Sequence, residues 1–422
     1  MKTSKLIILI SFALCVLTYS CTKTAENKQL DNCSVSIRNF DVLPENSPQV
    51  NKINLQKAID WASERGTALF VEPSEKPYPV EGGIILKKNV SLIGVHGPTP
   101  RGTINPKQKG KPVGSVFSIT DKNNVFITVE SATQIKGIQF WYPEQTIKDP
   151  DKIIPYPATI QSARSSSTQG VFLSCLTFYG EYLAMDFNGD PKNISELMTF
   201  EHCYGFPLSG EFIRIDYCYD IPRLLHCHVN PAIQRFIGGQ YAPAVVDAVV
   251  AKKTFAYSIN HTDNAQLIDI FTFGTYGGIF LGGDTYGQLT NFNLDCVTVG
   301  IYKKGNNTFN RNWQIAQGSI IANTGEKIND IHPIIIEGEG HTSFTNVESF
   351  SGPNPALSTI KENQSMDFML IKGSEKTTVS LFGCRMRNYV SDTPLTKQNN
   401  RAIVYANGCF DKNENLFALS PM

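Results

Sequence analysis

Apolar residues along this chain come in short alternating bursts, not in long helical stripes. Runs of roughly four to eight residues rich in Ile, Val, Phe and Thr are cut by Gly, Asn and Asp, the pattern of strands joined by tight turns. Residues 266–305 hold two copies of one such unit, QLIDIFTFGTYGGIFLGGD and QLTNFNLDCVTVGIYKKG. Thr272-Phe273-Gly274 matches Thr298-Val299-Gly300, and Gly278-Ile279-Phe280 matches Gly300-Ile301-Tyr302, an offset of 22–26 residues that recurs along most of the chain. A unit of this length cannot bury its own apolar side chains and must stack on copies of itself. Parallel strands ~4.8 Å apart then set like residues above like. The pattern predicts an all-β fold, a right-handed single-stranded parallel β-helix of about ten coils.

Columns of side chains follow from the repeat. Cys175, Cys203, Cys227, Cys296 and Cys384 each follow an apolar strand, at steps of 28, 24, 69 and 88 residues, with Ile270, Gly318 and Val347 on intervening rungs. They read as small buried residues at one turn. No C-x-x-C pair is present and the thiols are spread along the axis, so no metal site is expected. A polar column precedes them: Ser174, His202, His226, Asp269, Asp295, Gln317 and Asn346. On the strand after each glycine turn, alternation points Asp186, Arg214, Asp216, Phe280, Tyr302, Lys304, Glu337, Glu339 and Lys372 outward, with Asp284 at a turn. Stacking sets such residues ~5–10 Å apart, the spacing at which paired carboxylates cleave glycosidic bonds.

Composition narrows the setting. Charged residues are 18% of the 422, with 38 basic against 38 acidic. Removing residues 1–20 takes away Lys2 and Lys5 and no acid, which leaves a net charge of −2. Nothing in that balance favours nucleic acid. The first twenty residues read as an export signal: Lys2 and Lys5, then the apolar stretch Leu6–Leu17, too short to span a bilayer. Thr18-Tyr19-Ser20-Cys21 follows and resembles a bacterial lipoprotein signal, which implies cleavage before Cys21 and lipidation of its thiol. The expected organisation is a signal at 1–20, a polar tether at 21–34 and one β-helix domain at 35–422. The expected location is the cell envelope of a bacterium, on the periplasmic face or the cell surface, with the membrane met only through the lipid; plain secretion is the alternative.

Residues 35–97 add a second resemblance. Ser36–Asp41 reads as a strand. Asn54 can cap a helix at about 54–65 whose apolar face is Leu55, Ala58, Ile59 and Ala62, stopped by Gly66. Ala58-Ile59-Asp60-Trp61-Ala62, Leu69-Phe70-Val71, Tyr78-Pro79-Val80 and Val90-Ser91-Leu92-Ile93-Gly94 follow in an order that resembles the opening of the pectate-lyase-like superfamily. That resemblance implies a parallel β-helix with an N-terminal helical cap and a polysaccharide or oligosaccharide partner. Polygalacturonase signatures are only echoed, in Asn260-His261-Thr262-Asp263 and Gly338-Glu339-Gly340-His341.

Two classes of function remain. The first is a glycoside hydrolase or polysaccharide lyase. A hydrolase would draw its acid and its base or nucleophile from Asp216, Asp284 and Glu337; a lyase would use Arg214 or Lys304, with calcium as the one cofactor that chemistry could add. Phe140-Trp141-Tyr142 before Pro143 offers a sugar-stacking platform, so Trp141, Tyr142, Tyr302 and Phe280 are the expected substrate contacts. The second class is a non-catalytic glycan-binding or structural surface lipoprotein. Long excursions, above all 351–367 and 388–401, are expected to border the binding surface.

Overall fold

The computed structural model describes residues 34–95, 110–305, 311–322, 327–350 and 364–419. The export segment, Cys21, nearly all of the tether, most of the basic loop 98–115 and most of the insertion 351–367 lie outside the described residues.

Every turn of the chain repeats the same path. It lays one strand into a sheet of 22 strands, bends, continues along that sheet as a second strand or, as in Gly287–Asp295, without a break, and crosses to a strand of a separate eleven-stranded sheet. Successive turns pair in parallel, residue beside equivalent residue. Ile213–Asp216, for example, lies beside Met185–Asn188 on one side and Phe255–Asn260 on the other. The one antiparallel ladder among the described strands closes the last turn, where Leu416–Leu419 folds back on Ile403–Phe410. The fold is a parallel β-helix. Three short strands, Thr168–Gln169, Ser195–Glu196 and Cys218–Tyr219, form a small third ladder beside the middle turns.

The interior is built from the alternation that the sequence shows. Phe117, Phe140, Phe178 and Phe212 climb the core on successive turns, with ring centroids 6.3, 5.1 and 5.6 Å apart. Burying each such side chain contributes about 1.5–3 kcal/mol.

The bend within the large sheet explains the polar column. Gly137, Cys175, His202, His226, Asp269, Asn291, Gln317, Asn346, Gly383 and Gly408 all take left-handed backbone there. Asn, Asp and His tolerate that conformation better than most residues. The residue after each faces the core: Cys203, Cys227, Ile270, Val347, Cys384 and Cys409 are buried. Two members of the expected cysteine column are therefore misplaced. Cys175 sits one residue early, in the left-handed column. Cys296 follows the end of a continuous strand, Gly287–Asp295, and lies at a different corner; Asn291 and Phe292 hold the two positions on that turn. Ser174 and Asp295 leave the polar column for the same reason. The internal match is corrected too: Gly278 does lie beside Gly300, but Thr272 lies beside Leu294 and not Thr298.

At the N-terminus the helix is longer than expected, Pro48–Arg65. Ser47 caps it by accepting from Val50 N at 3.3 Å, and Pro48 fits the first turn, where no amide partner exists. Asn54 lies inside the helix and its amide donates to Asp41 O at 2.9 Å. Leu55, Ala58, Ile59 and Ala62 are buried against the first strands of both sheets. The strand expected at Ser36–Asp41 is only Ser34–Ser36; a 3-10 turn, Ile37–Phe40, replaces the rest because Ser36 caps it through Arg38 N.

A second departure lies at 231–250. The run PAVVDAVV has strand-like composition but forms a helix, Pro243–Val250, after a 3-10 turn, Pro231–Ile237. Tertiary packing of Val245, Val246 and Val249 overrides local preference. This detour, with the proline-rich excursion at 143–159, raises two walls over one end of the eleven-stranded sheet.

Candidate functional site

The outer face of the eleven-stranded sheet carries one continuous column of residues. Gln161, Asp186, Arg214, Ser258, Phe280, Tyr302, Ile335 and Leu370 lie side by side in register. Its two halves differ in kind.

In the upper half, Gln161, Asp186 and Arg214 form the floor of a cleft of about 500 Å³. Tyr156, Pro157 and Ala158 of the proline-rich excursion stand on one side, and Ser209, Glu211, Lys252 and Thr254 on the other. Thr254 Oγ1 donates to Ser209 O at 2.7 Å, which ties the detour to its wall. Asp186 Oδ2 pairs with Arg164 Nη2 at 2.8 Å, and its Oδ1 lies 3.6 Å from Arg214 Nε. Arg214 Nη1 is 4.0 Å from Glu211 Oε2. Buried Arg214 Nε has no hydrogen-bond partner among the described residues, since the Asp186 contact is too long for one. Burial raises the Glu211 carboxyl above the usual carboxylate range; Arg214 partly offsets this and Asp186 adds to it. A carboxyl whose pKa is raised by burial thus faces a salt-bridged one across a single guanidinium. The width of that group sets them roughly within the ~5–10 Å that glycosidic cleavage uses.

Behind this cleft lies a third carboxyl. Glu181 is fully buried, and neither of its oxygens makes a hydrogen bond among the described residues. Burial pushes it up to about 8.

The lower half is aromatic. Phe255, Tyr276, Phe280 and Tyr302 pack on the outer face, with Phe280 and Tyr302 edge to face at 5.5 Å and Phe255 5.5 Å from Phe280. The Tyr302 hydroxyl donates to Glu337, and Lys372 Nζ lies 3.4 Å from Glu337 and 5.1 Å above the Tyr302 ring. Burial would raise the Glu337 carboxyl, but the Tyr302 hydrogen bond, Lys372 and Lys304 outweigh it and hold it below the usual carboxylate value. Lys303, one residue from exposed Lys304, turns inward and is buried. Its Nζ donates to Gly305 O and Glu339 O at 2.6 Å each, and burial pushes its pKa down to about 8.

The residues singled out from the sequence fall into three groups. Arg214 lies in the cleft. Tyr302, Lys304 and Glu337 meet at the aromatic end, with Phe280 beside them. Asp216 accepts from His261 Nδ1 at 2.7 Å, and His261 stacks on Tyr217 at 4.5 Å, next to the Gly283 turn that carries Asp284. Asp216 and Glu337 are not brought together: register puts Asn260, Gly282 and Lys304 between them, four rungs or ~19 Å. Arg214 and Lys304 are likewise ~15 Å apart at least, three rungs and two residues along. Trp141 is half-buried on the other sheet, paired with Tyr179. Tyr142 is buried, its hydroxyl bonded to Thr159 Oγ1 at 2.6 Å, so it presents no platform to solvent. Glu211, Gln161, Arg164 and Lys252 were not singled out. Glu211 precedes its strand and owes its character to burial alone; its three-residue spacing from Arg214 is the one signal the sequence offers.

No protein-family model matches this chain, and no curated protein matches it. Solved structures do. The mannuronan C-5 epimerase A-module of Azotobacter vinelandii is 10% identical, with a TM-score of 0.41, over 89% of this chain and 99% of its own. A tailspike of E. coli bacteriophage HK620, in complex with a pentasaccharide, is 10% identical at 0.46, over 91% of this chain and 67% of its own. DFA-IIIase from Arthrobacter chlorophenolicus, in complex with GF2, is 8% identical at 0.42, over 90% and 93%. At such identity and overlap, the chemistry of the cleft rests on this chain's own side chains.

Proposed function

We propose that this protein binds an extended glycan along the outer column of the eleven-stranded sheet and hydrolyses it in the walled cleft. The observation that carries the reading is the pair Glu211 and Asp186 flanking Arg214. Two carboxyls in unlike environments are what acid–base cleavage of an acetal needs. Glu211, its pKa raised by burial, acts as the acid and donates a proton to the departing glycosidic oxygen. Asp186 acts from the other side, as base toward water or as nucleophile. Arg214, on the cleft floor, holds a sugar hydroxyl or carboxylate through its guanidinium. Phe280 and Tyr302, two and three rungs along, offer apolar faces to sugar rings farther down the chain.

A second reading, binding without cleavage, is favoured by one contact: the Arg164–Asp186 pair at 2.8 Å engages the carboxylate that must act. The test follows reducing ends and ultraviolet absorbance together on a polysaccharide panel. Reducing ends without absorbance support hydrolysis. New absorbance means β-elimination and removes the Glu211–Asp186 reading. Binding without either signal establishes the second reading.

The wider setting belongs to the same proposal. We take the coil as right-handed, the sense that twisted parallel crossovers adopt, and the helix Pro48–Arg65 as a cover for the first turn's apolar end. We take residues 1–20 as an export signal and Cys21 as the lipidated anchor to the cell envelope. Partition of a Cys21→Ser variant into the soluble fraction, with the unaltered protein in the membrane fraction, tests the anchor.

A further inference from the structure

The bend of the large sheet holds a second cleft, on a different face from the first. It encloses about 580 Å³ and runs across turns that carry Asn291, Asn293, Gln317, Asn346 and Glu348. The four carboxamides are exposed. None of the four side chains makes a hydrogen bond within the described residues. That is unusual for Asn291, Gln317 and Asn346, which stack ~4.8 Å apart and can each donate and accept toward a neighbour, while Asn293 lies between Phe271 and Ser319 on its rungs.

Backbone preference explains part of this composition and not the rest. Asn291 and Asn346 occupy left-handed positions, where asparagine is tolerated. Gln317 occupies the same column without that advantage, and Asn293 faces the cleft from an extended strand. The charged groups at the margins are already engaged: Asp269 with His226 at 2.8 Å, Glu348 with Ser319 Oγ at 3.2 Å, and Arg385 with Glu414 at 2.5 Å. The middle of the cleft therefore presents uncharged donors and acceptors, repeated at strand spacing along the axis, with no partner of their own.

We propose that this cleft is a second carbohydrate site, one that takes a neutral, hydroxyl-rich oligosaccharide lying along the solenoid axis. Amides pair with hydroxyls in either sense, and the absence of a free cation in the middle of the cleft, among the described residues, separates its ligand from an anionic glycan. The site stands independently of the cleavage cleft, because it lies on another sheet and shares no residue with it.

The test uses the full chain carrying Glu211→Gln, so that no probe is consumed, and titrates malto-, cello-, xylo- and mannohexaose. At least one should bind, and Asn293→Ala with Gln317→Gly should weaken it about tenfold, the loss of two ordinary hydrogen bonds. Glycine at 317 suits the left-handed backbone and preserves folding. Asn291→Asp with Asn346→Asp keeps shape and backbone preference while removing the donors, and should weaken the same saccharide with an unchanged melting temperature. Failure of all four saccharides to bind, or a bound saccharide indifferent to both pairs of substitutions, overturns the proposal.

Discussion

The outer column of the eleven-stranded sheet has an upper half, Gln161, Asp186, Arg214 and Ser258, and a lower half, Phe280, Tyr302, Ile335 and Leu370. Both halves have the same backbone, the same spacing and the same outward direction. In the upper half, excursions wall the column, and Glu211 acquires a raised pKa by burial. In the lower half a hydroxyl and two lysines hold the Glu337 carboxyl below the usual carboxylate range, while Ile335 and Leu370 are buried despite facing out. The scaffold supplies positions; the walls decide which of them are enclosed. One half is suited to proton transfer and the other to contact.

That division can be broken by substitution. The largest effect should come from Glu211→Gln, with turnover falling about 10²-fold or more and glycan binding retained. If the acid form of Glu211 is the working one, as proposed, activity should fall as pH rises through its raised pKa, and the falling limb should lie above the ordinary carboxylate range. A pH–rate profile with no such limb would remove Glu211 from the mechanism.

Next in size is the buried carboxyl behind the cleft. Glu181 has a folded pKa of about 8 against an ordinary value of 4.5. Between those values the folded state holds a proton that the unfolded state has released, so stability is greatest below the ordinary value and falls as pH rises. The slope is up to about 1.4 kcal/mol per pH unit, flattening above about 8. Urea unfolding of Glu181→Gln across pH 5 to 9 should lack that slope.

Tyr302→Ala removes the aromatic end of the column and should weaken glycan binding about fivefold, roughly 1 kcal/mol, with turnover at saturation unchanged. Glu337→Gln should have the smallest effect, within about twofold on turnover, because this carboxylate is a packing partner of Tyr302 and Lys372. A Glu337→Gln protein as inactive as Glu211→Gln would erase the distinction between the two halves.

Much of the architecture was legible because repetition multiplies a weak signal. Alternation in GIFLG and GIYKK marks Phe280, Tyr302 and Lys304 as outward, and His202, His226, Asp269 and Asn346 mark a recurring corner that proves to be left-handed. Register was harder. Cys175 and Cys296 look like Cys203 to the eye, but one residue of slip puts Cys175 in the corner column, and Cys296 follows the end of its strand at a different corner. The candidate site was less legible still. Asp216, Asp284 and Glu337 were chosen as outward carboxylates, a local property, whereas distance along the axis depends on how many rungs intervene. Glu211 was hard to see because its character comes from burial in a cleft walled by 156–158 and by Lys252 and Thr254, the second wall following a valine-rich helix with the composition of a strand.

The most direct measurement is product formation by the protein and by its Glu211→Gln variant on the same polysaccharide panel, with binding recorded in parallel. The account predicts reducing ends without ultraviolet absorbance from the unaltered protein, and binding without products from the variant. Products from Glu211→Gln at the rate of the unaltered protein would contradict it.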